Sequence, residues 1–212
     1  MKLLILFVLL MASPILKAQD YFEDPRDGNI YELVKVGSHW WFRSNLKYQT
    51  KASWCFQNPK DSMCAIGNYY YPEDLPKACP NGWRVPTWAE YTSALHYLMD
   101  TLNIPQDSVK FIKQEIISNK IPISSEGVLG ITFLHDSIYF NMLSTGWIQG
   151  KKRVEQTQTT MWIEEDIQDL PQPHVHIRED GMVKHAHHHN VEGKPKKQRR
   201  FSVRCVCDAK EN

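Results

Sequence analysis

Five cysteines, Cys55, Cys64, Cys79, Cys205 and Cys207, constrain the fold of this chain more than any other feature. What they can do depends on the compartment, because disulfides persist where the surroundings are oxidising. The N-terminus predicts such a compartment. Met1 and Lys2 precede an apolar run from Leu3 to Leu10, and Met11, Ala12, Ser13 and Pro14 lead on to a small residue, Ala18. A basic start, a short apolar stretch and a small residue at the end mark a secretory signal peptide. The run falls short of the roughly 20 residues that span a bilayer. Residues 1–18 therefore read as a signal peptide and 19–212 as the mature chain, with no transmembrane segment expected in it. Its destination is the periplasm, the outer-membrane surface or the medium.

In that setting the cysteines become cross-links. Cys55 and Cys64 flank a polar stretch, Phe56 to Met63, that can turn back on itself to allow a local bridge. Cys79 is then left to pair with Cys205 or Cys207, which are two apart on an expected strand and so face one side. Closing so long a loop stabilises the fold by roughly 4–5 kcal/mol in the chain-entropy model. One thiol remains over, either buried and inert or exposed to redox or intermolecular chemistry. The 212 residues are 42% hydrophobic and 23% charged, which fits one globular domain and excludes a disordered chain, a coiled coil and a polytopic membrane protein. The formal charge of +1 becomes −1 once Lys2 and Lys17 are removed, so nothing in the balance points to nucleic acid.

Asn29–Val36 and His39–Phe42 are β-rich runs separated by Gly37 and Ser38, a two-residue hairpin signal. Pro72–Pro80 reads as a loop. Thr87 followed by Glu90 is a capping box, and Trp88, Tyr91, Leu95, Leu98, Met99 and Leu102 recur at three- and four-residue spacing, predicting a helix over Trp88–Asp100. A second helix is expected over Gln106–Ser118. Short strands follow at Leu129–Leu134, Ser137–Met142, Thr160–Ile163, Val175–Arg178, Met182–His187 and Phe201–Cys207. The order predicts an α+β single domain with two helices and many short antiparallel strands.

Four blocks carry a resemblance. Asp24–Tyr48, Trp54-Cys55 with Cys64 and Gly67, Ala78–Glu90 (ACPNGWRVPTWAE) and Phe201–Asp208 (FSVRCVCD) resemble the Fibrobacter succinogenes major paralogous domain of exported Fibrobacter and Bacteroidetes proteins. Phe140–Trp147 and Thr160–Glu164 match its later blocks more weakly. The resemblance covers residues 23–208. It implies a C-type lectin-like fold whose termini meet in a small sheet, with bridges Cys55–Cys64 and Cys79–Cys205 and Cys207 left as the extra thiol. It brings no established activity and no catalytic residues. Asn103–Asp136 and the histidine-rich segment depart from the pattern.

Calcium-dependent sugar binding finds little support, since Leu170-Pro171-Gln172-Pro173 and Trp162-Ile163-Glu164 replace the lectin motifs. Glu164, Glu165, Asp166 and Asp169 form an acidic run that offers oxygen ligands to calcium but more often is a solvated loop. Six of nine histidines fall between His174 and His189. With a turn at Asp180-Gly181, or over Glu179–Met182, His176 faces His185 and His174 faces His187 on one side of a hairpin, and His189 extends the row. Such a row suits zinc or copper. A three-residue turn puts the pairs on opposite faces. The other readings are a merely polar hairpin or a pH-responsive contact. Lys194, Lys196, Lys197, Arg199 and Arg200 form a basic run that suits an acidic polysaccharide, lipid phosphate or protein. No nucleophile–base arrangement or phosphate loop is present. The expected function is a non-catalytic exported domain contacting a protein or glycan partner at the outer membrane or cell surface, with transition-metal binding as the alternative.

Overall fold

A computed structural model describes residues 20–55, 66–101, 110–112, 145–154, 158–164, 173–178, 182–186 and 199–209. In chain order the strands are β1 (Tyr21–Glu23), β2 (Ile30–Val36), β3 (His39–Phe42), β4 (Tyr69–Tyr70), β5 (Lys110–Ile112) and β6 (Trp147–Gln149). They continue with β7 (Lys152–Val154), β8 (Gln158–Trp162), β9 (His174–Arg178), β10 (Met182–Ala186), β11 (Arg199–Ser202) and β12 (Val206–Asp208). A 3-10 helix, Pro72–Lys77, and one α-helix, α1 (Trp88–Thr101), lie between β4 and β5.

The Gly37-Ser38 hairpin forms as its sequence requires. Val36 pairs with His39, and Gly37 takes φ +60°, a left-handed conformation that glycine adopts without a Cβ penalty. β12 then adds to β3 with Val206 opposite Trp41, giving a four-stranded sheet ordered β1-β2-β3-β12. The first and last strands of the described chain thus meet in one small sheet.

The larger sheet runs β5-β10-β9-β8-β11-β6-β7, with β4 also paired to β11. Because alternate residues of a strand point to opposite faces, β8 and β9 serve two cores. Met161, Val175, Ile177 and Val183 pack with Tyr91, Leu95, Leu98 and Met99 of α1. Trp162 and Phe201 pack on the other side with Tyr31, Phe42, Leu46 and Tyr70. The α1 start is fixed as its capping box dictates: the Thr87 N–H donates to Glu90 Oε2 at 2.8 Å and the Glu90 N–H donates to Thr87 Oγ1 at 3.2 Å.

Three expectations are corrected. Pro72–Pro80 contains a 3-10 turn, in which Pro72 needs no N–H partner. The segment expected as a second helix, Gln106–Ser118, contains β5, which pairs parallel to β10, with Val183 opposite Phe111; the rest of it lies outside the described residues. Backbone pairing with an open sheet edge overrides the helical spacing of its apolar residues. The final strand is two strands. β11 belongs to the large sheet and β12 to the small one, and Val203–Cys205 crosses between them with its carbonyls accepting from Leu46 N (2.8 Å) and Phe42 N (3.0 Å). The strands expected at Leu129–Leu134 and Ser137–Met142 lie outside the described residues. No helix among the described residues is long and apolar enough to cross a membrane.

Candidate functional site

The β9–β10 hairpin forms, in a register that separates its histidines. His174 lies opposite Ala186, Val175 opposite His185, and His176 opposite Lys184. Three residues separate the two strands, so the connection is odd in length, and a shift of one residue turns every side chain of a strand to the other face. The single-faced row of His174, His176, His185 and His187 is therefore not formed. His187 and His189 themselves lie outside the described residues.

His185 faces α1, buried among Val175, Ile177 and Val183, with its ring stacked on Trp88 at 5.1 Å between centroids. His174 and His176 lie on the opposite face. His174 is fully buried, its ring 4.6 Å from Phe201 and edge-on to Trp162 at 6.2 Å. Its Nε2 stands 3.1 Å from Nε2 of the half-buried His176. On the far side of that ring, His176 Nδ1 is 3.0 Å from both Thr160 Oγ1 and Gln158 Nε2. An amide nitrogen only donates, so in this arrangement His176 Nδ1 accepts and its Nε2–H donates to His174 Nε2. Of the three described histidines among the five expected to share a site, these two converge.

The cysteines resolve the alternatives left by spacing. Cys79 is bonded to Cys205, with Cα atoms 5.8 Å apart. Cys205 sits in the crossing between β11 and β12, whereas Cys207 lies on β12 and is free. Burial, then the neighbouring Asp208 charge, push the Cys207 thiol above its usual pKa, so it holds its proton. Cys55 is also disulfide-bonded, and Cys64 lies outside the described residues.

One cluster escaped the sequence reading. His39 Nε2 is 3.2 Å from Glu90 and 3.4 Å from Asp208, and Arg84 donates to both carboxylates, to Glu90 Oε2 at 2.6 Å and to Asp208 Oδ1 at 3.2 Å. Glu90 was legible as a cap, and Arg84 stands in the same Ala78–Glu90 block. Asp208 joins them only because β12 pairs with β3 beside the Arg84–Val206 bridge. The His39, Glu90 and Asp208 ligand atoms lie within 4.8 Å of one another, but the Arg84 guanidinium already supplies the cation there. The cluster reads as an ionic tie between α1 and the small sheet. Glu164, the described member of the expected acidic run, is exposed, and its N–H is bonded to the Pro86 carbonyl at 2.9 Å.

Arg199 and Arg200, the described part of the basic run, frame the β6–β7 hairpin. Arg200 lies 4.0 Å over the Tyr71 ring and 5.7 Å from Trp54, and donates to the Gly150 carbonyl at 3.0 Å. Arg199 lies 5.0 Å over Trp147. The hairpin tip is exposed Gly150, Lys151 and Lys152, and β6, β7 and β11 carry no acidic residue. Cations backed by aromatic faces are thus gathered at one end of the large sheet.

A family model described as the Fibrobacter succinogenes major domain matches residues 34–207. No curated protein and no solved structure matches the chain.

Proposed function

The chain belongs to the Fibrobacter succinogenes major domain family, and from that premise we propose that it is an exported, non-catalytic binding domain whose partner is an acidic cell-surface glycan. The observation that carries this reading is Arg200, stacked on Tyr71 beside Trp54 and tied to the hairpin that presents Lys151 and Lys152. Sugar rings stack on aromatic faces, and uronate, sulfate or phosphate groups pair with arginine and lysine. Local positive charge on a nearly neutral chain also steers a polyanion to this end of the molecule.

A signal peptide over 1–18, and placement in the periplasm, on the outer-membrane surface or in the medium, agree with the Cys79–Cys205 bridge. A C-type lectin-like arrangement, the finer fold assignment we favour, is supported by the small sheet that joins β12 to β2 and β3.

Binding of residues 19–212 to a uronic-acid polysaccharide and to a neutral dextran tests the reading. The acidic polymer should bind with an affinity that falls steeply with added salt. Reversing the hairpin tip, Lys151→Glu with Lys152→Glu, should weaken it about tenfold without changing the fold, since both side chains are exposed. Equal binding to dextran, or an unchanged affinity in the reversed variant, overturns the proposal.

A further inference from the structure

His174-Val175-His176 on one strand places two imidazoles on the same face of the sheet, and their Nε2 atoms stand 3.1 Å apart. We propose that His174 and His176 bind one first-row divalent ion through these two nitrogens, copper(II) ahead of zinc(II). The proposal does not rest on the glycan reading.

Metal–nitrogen bonds of about 2.0–2.1 Å space two ligand nitrogens about 2.8–3.0 Å apart at the right angle of tetragonal copper(II) and about 3.3–3.4 Å apart at the tetrahedral angle of zinc(II). The 3.1 Å between the two Nε2 atoms falls between these spacings, so a small turn of the rings brings both nitrogens onto one ion. Both rings are already held in aim. Phe201 and Trp162 pack His174 from the sides, and Thr160 with Gln158 grips Nδ1 of His176. Partners on the non-ligating nitrogen are what orient imidazole ligands in metal sites. Entry is from the His176 side, which is half-exposed.

The protons balance without loss to solvent. The hydrogen lying between the two Nε2 atoms moves to Nδ1 of His176. There Thr160 Oγ1 accepts it, and the Gln158 amide turns its oxygen inward. Copper(II) leads because imidazole sites follow the Irving–Williams order. Lys184 opposite His176 and Arg178 two residues on share this face, which disfavours a bare dication and favours an anion or hydroxide in the open coordination positions.

The test uses residues 19–212 stripped with a chelator and titrated with copper(II) or zinc(II) alone. Calorimetry gives the stoichiometry, and copper electron paramagnetic resonance counts the coupled nitrogens. One equivalent with two imidazole nitrogens is expected. His176→Ala should weaken binding at least 100-fold, and circular dichroism should show its fold intact. Thr160→Val should weaken binding about tenfold by freeing the His176 ring. Replacing His187, His188 and His189 together by alanine should change affinity by less than about threefold, because neither ligand is removed. No binding by the folded wild-type protein overturns the proposal. So does a folded His176→Ala variant with wild-type affinity, or a folded triple variant that no longer binds the ion.

Discussion

Asp24 is fully buried, yet its carboxylate stays charged. Burial by itself raises its pKa, but Arg26 overcomes this by donating from its backbone N–H at 3.0 Å and from its guanidinium at 2.7–3.2 Å, which holds the group below the usual range. The same guanidinium donates to the carbonyls of Lys77, Ala78 and Cys79 and lies 3.7 Å over the Tyr48 ring, so one arginine ties the β1–β2 connection to the end of the 3-10 helix. Glu90 follows the same logic. Burial opposes its charge, and bonds from Arg84 and the Thr87 N–H more than offset it. A carboxylate with a depressed folded pKa adds stability that is complete above its unfolded pKa, near 4, and is lost as pH falls through the folded value. Urea unfolding should therefore show stability falling from about pH 4 downward. Asp24→Asn should be less stable than wild type at about pH 6, with a shallower acid decline. An unchanged decline would mean that other carboxylates carry it. Arg204 is the opposite kind of residue, a fully buried cation whose pKa burial brings down to about 10 and whose guanidinium donates to Asn45 Oδ1 at 3.1 Å.

Among the elements, α1 shows how far local chemistry reaches. Its capping box and apolar spacing were legible, and the helix runs Trp88–Thr101 against an expectation of Trp88–Asp100. Thr87→Ala should cost about 1 kcal/mol in chemical denaturation. Glu90→Ala should cost more, because Glu90 also holds Arg84 and His39. A smaller cost for Glu90→Ala would reduce the ionic tie to a surface contact. The Gly37-Ser38 hairpin was equally legible, since both its turn and its alternation are local. The β9–β10 hairpin was legible as a hairpin but not in register. Asp180-Gly181 fits a two-residue turn and a longer odd one alike, and parity alone decides whether His185 joins His176 or packs on Trp88. The split between β11 and β12 was hidden for another reason. Ser-Val-Arg-Cys-Val has β character throughout, and only tertiary pairing with β3 and Leu46 breaks it at Val203–Cys205. Of the candidate site, the residue types and the shared face of His174 and His176 could be read, and the turning of His185 to the other face could not, because it depends on that parity.

For the whole molecule, the Cys79–Cys205 bridge spans 126 positions of sequence. In the chain-entropy model such a closure is worth about 4–5 kcal/mol, less whatever the bridge at Cys55 already constrains. Mutating both cysteines, Cys79→Ala with Cys205→Ala, should lower the guanidinium unfolding free energy by about 4 kcal/mol. A loss below about 1 kcal/mol would mean that the reduced chain stays compact when unfolded. The four-stranded sheet gives this bridge a mechanical meaning. The chain entering β1 and the chain leaving β12 emerge on the same side, toward the Gly37 turn, with Asp208 level with His39. Force pulled through those two ends unzips the sheet strand by strand instead of shearing it. On the C-terminal side the peel frees Val206–Asp208 and stops at Cys205, where the bridge carries the load. Residues 80–204, with the His174–His176 pair, lie off the covalent path that the load takes through the bridge, and the segment uncovered first by such a pull includes the free thiol of Cys207.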